Sequence, residues 1–129
     1  MANLLIEIGN TALKAAWSDG PTIGKSVRYQ GEKVDDFIES LFGKEFPDVI
    51  AVASTYPVSS DMEQFLKAHC KHLMILDSNH KEILQRYELP EYLTYDRAAS
   101  LIAARYLFKG KNCSVFDFGT TLTVDFTGE

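Results

Sequence analysis

The chain has 129 residues, 46% of them hydrophobic and 24% charged, which suits one soluble domain with a packed core and argues against intrinsic disorder. Thirteen basic against eighteen acidic residues give a net charge of -5, the wrong sign for gathering nucleic-acid phosphates, so any bound anion must be held locally. No apolar run reaches membrane-span length and no basic-then-apolar export signal opens the chain, so the expectation is a cytoplasmic protein without nucleic-acid or membrane partners.

In chain order, Asn3 to Gly9, Ala12 to Ser18 and Thr22 to Gln30 read as three strands of an antiparallel meander, separated by the turn-prone "GNT" and "SDGPTIG". Glu32 to Phe42 reads as a helix, because Val34, Phe37, Ile38 and Leu41 recur at the spacing of one buried face. "DVIAVA", Asp48 to Ala53, is a short apolar run expected to be a strand covered on both faces. Asp61 to Cys70 is a second helix with Met62, Phe65, Leu66 and Cys70 on one side and Ser59 or Ser60 as its N-cap. "HLMILD" follows as a strand, and His80 to Tyr87 fits either a helical turn or an edge strand.

Asp96 to Phe108 is an alanine- and leucine-rich helix that Gly110 is placed to end, and Cys113 to Phe118 with Leu122 to Phe126 form a last hairpin. This order predicts an α/β fold with a mixed sheet: a three-strand meander, then helix-strand units. Cys70 and Cys113 fit two reduced, mostly buried thiols. His69, Cys70 and His72 lack a second ligand pair and read more simply as surface residues near a helix end than as a metal site.

"IEIGNT", Ile6 to Thr11, recurs as "FDFGTT", Phe116 to Thr121: apolar, acid, apolar, glycine, small polar, threonine. Glu7 and Asp117 sit in sequence among bulky apolar residues, where an unpaired charge is costly, so each is expected to face something positive. Gly9 and Gly119 permit close backbone approach, and the amides and hydroxyls after them can cradle phosphate oxygens. Two acids on opposing hairpins suit Mg²⁺ bridging a nucleoside triphosphate, with Lys14 in reach of a phosphate. Either turn alone is equally an ordinary hairpin that binds nothing.

On the last strand Thr121, Thr123 and Asp125 alternate with Leu122, Val124 and Phe126, which makes one face polar; it reads equally as part of the phosphate site or as a solvated sheet face. In "TYDRAAS", Thr94 to Ser100, Asp96 either caps the helix while Arg97 pairs locally, or accepts a proton from a substrate hydroxyl while Arg97 holds a substrate carboxylate.

"LLIEIGNTALK", "YELPEYLTYDRAAS" and "FDFGTTLTVD" together resemble the N-terminal half of a type III pantothenate kinase, in the family's order and over almost the whole chain. The resemblance implies a ribonuclease H-like, actin-like ATPase fold, with residues 1–112 as the first domain and 113–129 as the opening hairpin of a second. It implies ATP-dependent phosphorylation of pantothenate, the first step of coenzyme A biosynthesis, with Mg²⁺ and a monovalent cation, K⁺ or NH₄⁺, in a homodimer whose pantothenate pocket lies at the subunit interface.

By the same resemblance Glu7, Gly9, Asn10, Thr11 and Lys14 belong to the first phosphate motif, and Gly119, Thr120, Thr121 and Thr123 to the second. Asp117, with Glu7, lies at the metal and Asp125 at the monovalent cation; Asp96 is the general base, and Arg97 and Tyr95 bind substrate. The chain departs from the family pattern in two places: Glu7 stands for the usual Asp, and Thr94 for the Gly of Gly-x-Asp-Arg. Family members are about twice this length, so the chain by itself is expected to be nearly inactive. The other readings are a non-catalytic nucleotide-binding relative, or a kinase for another small hydroxyl substrate.

Overall fold

A computed structural model describes residues 2–43, 46–119 and 122–128. The chain divides into two compact units, Met1–His80 and Lys81–Glu129.

In the first unit, β1 (Ala2–Ile8), β2 (Leu13–Asp19) and β3 (Thr22–Tyr29) form the expected antiparallel meander. β4 (Val49–Ser54) and β5 (His72–Leu76) add to it in parallel, giving the sheet order β3-β2-β1-β4-β5. Strand alternation sends Leu4, Ile6 and Ile8 of β1 and Leu13 and Ala15 of β2 to one face, where they join Ile50, Val52, Ile38, Met62 and Leu66 in the core. β4 is buried at Ile50, Val52 and Ser54 and half-buried at Val49, Ala51 and Ala53, so both faces are covered, one of them only in part.

The helix α1 (Val34–Ser40) buries Ile38 and is shorter than its apolar spacing suggests. No side chain caps it at Lys33, and at its other end Leu41 and Phe42 donate to carbonyls three residues back, which tightens the last turn and ends the helix. α2 (Ser60–Ala68) is capped by Ser59, whose hydroxyl accepts from the Met62 amide at 3.1 Å, with Asp61 and Glu63 in the first turn and Lys67 in the last to complement the helix dipole.

The second unit opens with α3 (Glu82–Arg86), so of the segment His80 to Tyr87 the part from Glu82 is a short helix, not an edge strand, while His80 makes an isolated β-bridge with Asp77. It ends in a Schellman turn: Glu88 takes φ 54°, the Leu89 amide donates to the Leu84 carbonyl at 2.8 Å, and both leucines are buried. α4 (Tyr95–Leu107) follows and buries Ala98 and Leu101; Gly110, at φ 76°, turns the chain back as expected. β6 (Cys113–Phe118) and β7 (Leu122–Thr127) pair as an antiparallel hairpin. Its Cys113, Val115, Asp117, Thr123, Asp125 and Thr127 are the more covered face, while Phe116, Phe118, Leu122, Val124 and Phe126 are exposed.

Candidate functional site

The first hairpin sits at the carboxyl ends of the parallel strands β1 and β4, the end of an open α/β sheet where ligands characteristically bind. The Gly9 amide closes its turn by donating to the Ala12 carbonyl at 3.0 Å. A methyl group at Gly9 meets only that same carbonyl, at 3.4 Å, an ordinary contact, and the residue does not adopt a left-handed backbone. The fold of this unit therefore does not by itself require glycine there.

Asn10, Thr11 and Lys14 are exposed. Glu7 is exposed as well, directly across the ladder from Lys14. This corrects the expectation of an acid enclosed by apolar residues: neighbours in a strand point to opposite faces, so the isoleucines beside Glu7 enter the core while its carboxylate points away.

Sequence reasoning missed the segment after β4. Thr55 donates to the Ile8 carbonyl from its amide at 3.0 Å and from its hydroxyl at 3.3 Å, and so holds the residue immediately before Gly9. Ser54 is buried, with its hydroxyl donating to the Tyr56 carbonyl at 2.5 Å. Short hydroxyl side chains after an apolar strand were the available signal.

In the second unit Asp96 is not the helix cap. Thr94 takes that position with extended backbone angles and no side-chain capping bond, which puts Tyr95 and Asp96 inside the first turn. Asp96 is half-buried, and its Oδ1 is enclosed with no hydrogen-bond partner among the described residues; the same holds for the Thr123 hydroxyl on β7. Buried polar atoms are normally satisfied, so these two stand out in the second unit.

Arg97 does not pair locally. It reaches 28 residues along the chain and grips Asp125 with two hydrogen bonds, Nε to Oδ2 at 2.9 Å and Nη2 to Oδ1. The pair holds the first turn of α4 on the polar face of β7, where Thr123 lies opposite Asp117. The expectation of a solvated polar face is thus corrected, because this face takes the helix and the apolar one is bare.

Asp125 is held below the usual carboxylate range by the Arg97 hydrogen bonds, and Arg97 is raised by the same bonds. Asp125→Ala is expected to lower the stability of this unit by about 2 kcal/mol, read as faster hydrogen exchange of the α4 amides, with Asp125→Asn milder. In the wild type this contribution is lost as pH falls through the lowered Asp125 value and is fully present above the ordinary carboxylate range.

Gly119 is exposed at the end of β6, and Thr120 and Thr121 lie outside the described residues. No group of three metal-ligating side chains occurs among the described residues. Of the three residues read as lying at the surface, His72 is exposed and His69 half-buried, its ring stacked on Phe65 at 4.1 Å and tilted against Phe42 and Phe46, while Cys70 and Cys113 are free, half-buried thiols. No helix among the described residues is long and apolar enough to cross a membrane.

The family model described as type III pantothenate kinase matches residues 3–129. Among relatives, the type III pantothenate kinase of Bacteroides fragilis strain YCH46 is 33% identical over 125 residues, 96% of this chain and 51% of its own length. That of Christiangramia forsetii is 32% identical over 130 residues, 98% of this chain and 53% of its own length. That of Thermosipho melanesiensis is 28% identical over 134 residues, covering 98% and 54%. The chain spans about half the length of the curated relatives it matches.

Proposed function

The chain belongs to the type III pantothenate kinase family, and from that premise we propose that it supplies the N-terminal half of an ATP-dependent pantothenate kinase, acting in the first step of coenzyme A biosynthesis. Its mixed α/β architecture is the ribonuclease H-like, actin-like ATPase fold of that family. The observation that carries the proposal is the enclosed Asp96 Oδ1 at the start of α4, an acceptor with no donor among the described residues.

In the proposed reaction Asp96 accepts the proton of the pantothenate hydroxyl as its oxygen bonds to the γ-phosphorus of ATP, and the bond from that phosphorus to the bridging oxygen breaks to release ADP. Arg97 holds the Asp96 turn on β7 through Asp125 and keeps further N–H groups that can meet a substrate carboxylate, with Tyr95 beside it. The Gly9 turn, with Asn10, Thr11 and Lys14, and the Gly119 turn, with Thr120, Thr121 and Thr123, are the proposed phosphate contacts.

Glu7 and Asp117 are the carboxylates that would hold Mg²⁺; as hard oxygen donors they suit an ion that takes its remaining ligands from phosphates and water. When bound, the ion would neutralise charge developing on the phosphoryl group. Asp125 fits a monovalent cation poorly, because its carboxylate already serves Arg97, and no step is placed there.

Residues 1–112 are proposed as the first domain and 113–129 as the opening hairpin of a second. Support comes from the bare apolar face of that hairpin, where Phe118 is 80% and Phe126 76% exposed, a face of the kind that sheets ordinarily bury. Homodimerisation and a cytoplasmic place of action are part of the proposal on the strength of the family resemblance.

The test is complementation: the chain alone, and the chain fused to the C-terminal half of the Bacteroides fragilis relative, are assayed for pantothenate-dependent ADP release. Release by the fusion and near-background release by the chain alone are expected. Equal turnover by the chain alone would show that it needs no second half. ATP binding by the fusion with no release would favour the non-catalytic reading, and release only with another alcohol would favour a different substrate.

A further inference from the structure

We propose that His80, bridged at both ring nitrogens by carboxylates, is a positioning residue that clamps the segment after β4 and, through it, the root of the first hairpin. The Nδ1 atom lies 2.6 Å from Asp77 Oδ1 and the Nε2 atom 2.8 Å from Glu63 Oε1. Ionised carboxylates only accept hydrogen bonds, so both contacts are satisfied together when each ring nitrogen carries a proton.

Asp77, fully buried just after β5, spends its other bonds on backbone: Oδ2 accepts from the Val58 amide at 2.8 Å and Oδ1 from the Asn79 amide at 2.9 Å. Val58 is three residues beyond Thr55, which holds the Ile8 carbonyl just before Gly9. The segment Ser54 to Ser59 is thus pinned at one end to β1 and at the other to Asp77, with Glu63 tying α2 to the same imidazole.

Among the described residues the charged groups around the ring are Asp77, just after β5, and Glu63 from α2, with Lys67 3.2 Å from the second Glu63 oxygen. When the ring loses a proton, one nitrogen lone pair must face a carboxylate oxygen, and that contact turns from attraction to repulsion. The Asp77 hydrogen bond foremost raises the His80 pKa above the ordinary histidine value, so the clamp is closed below that value and opens as pH rises through the raised one.

Its importance for catalysis rests on the reading of the Gly9 turn as a phosphate loop, but its test does not. Hydrogen exchange of the whole chain, corrected for intrinsic rates, is followed from mildly acidic to mildly alkaline pH. Protection of the Val58 amide is expected to fall roughly tenfold, as for the loss of one charge-assisted hydrogen bond, with Thr55 and Gly9 falling in the same direction.

In Glu63→Gln, a change at a half-exposed helix position that leaves the Asp77 contact, the new amide can donate to an unprotonated Nε2, so the fall with pH is expected to be much smaller. Nitrogen-15 shifts of the His80 ring, followed through a pH titration, should show both nitrogens protonated to a pH above the ordinary histidine value in the wild type. Protection at Val58, Thr55 and Gly9 that is flat with pH, or a His80 ring that titrates at or below the ordinary histidine value, overturns the clamp; because neither readout needs nucleotide, that failure leaves the phosphate-loop reading to the turnover assay.

Discussion

Replacing Asp96 with Asn in the complemented kinase is expected to lower pantothenate-dependent ADP release by about 10²- to 10⁴-fold, the usual contribution of a positioned general base. Asn keeps the size and the helix-start position but cannot take the hydroxyl proton. The Asp96 Oδ1 has no hydrogen-bond partner among the described residues to lose, although the charge beside Arg97 is removed. The KM for ATP should change little, since the proposed phosphate contacts lie on the two hairpins; undiminished kcat is incompatible with Asp96 as the base. Arg97→Ala provides the contrast. It releases the turn from Asp125, so turnover and the exchange protection of α4 should fall together, whereas Asp96→Asn should leave that protection in place.

Asp77→Ala is expected to destabilise the first unit by about 3–5 kcal/mol, because it takes the shared acceptor from two part-buried backbone hydrogen bonds and from a charged imidazole at once. Glu63→Ala, removing a half-exposed partner, should cost about 1 kcal/mol. Urea unfolding followed by the fluorescence of Trp17, the single tryptophan, half-buried in β2, reports on this unit. Similar losses in the two variants would show that Asp77 is no keystone.

The pH dependence has two limbs. His80 is raised, so its contribution is complete at pH below the ordinary histidine value and declines as pH climbs through the raised one. Asp77 is lowered despite burial, which alone pushes it up, because the Val58, His80 and Asn79 hydrogen bonds outweigh that penalty. Glu63 is lowered, first by Lys67 and then by His80. Those two contributions fade as pH falls through the lowered carboxylate values, so stability should peak between the limbs, and Asp77→Ala should flatten both.

Much of the fold could be read in the sequence because its signals are local. The alternation in β1, the spacing of Ile38 with Phe37 and Val34, Ser59 before α2 and Gly110 after α4 each act within a few residues, and each produced the element expected. The repeat of "IEIGNT" as "FDFGTT" was equally local and brought out the two hairpins. α1 came out short because its ends depend on capping, which the apolar pattern does not encode.

Sequence by itself determined the two-residue alternation that singles out Glu7, the polar face of β7, and the Asp96-Arg97 pair at a helix start, since these follow from backbone periodicity and turn chemistry. Which face of β7 is covered was decided only when α4 packed on it, because alternation separates two faces without saying which one meets a neighbour. The partners of Arg97 and His80 were likewise settled only in three dimensions: Asp125 is 28 residues away and Glu63 is 17, and a charge finds its mate across space, not along the chain.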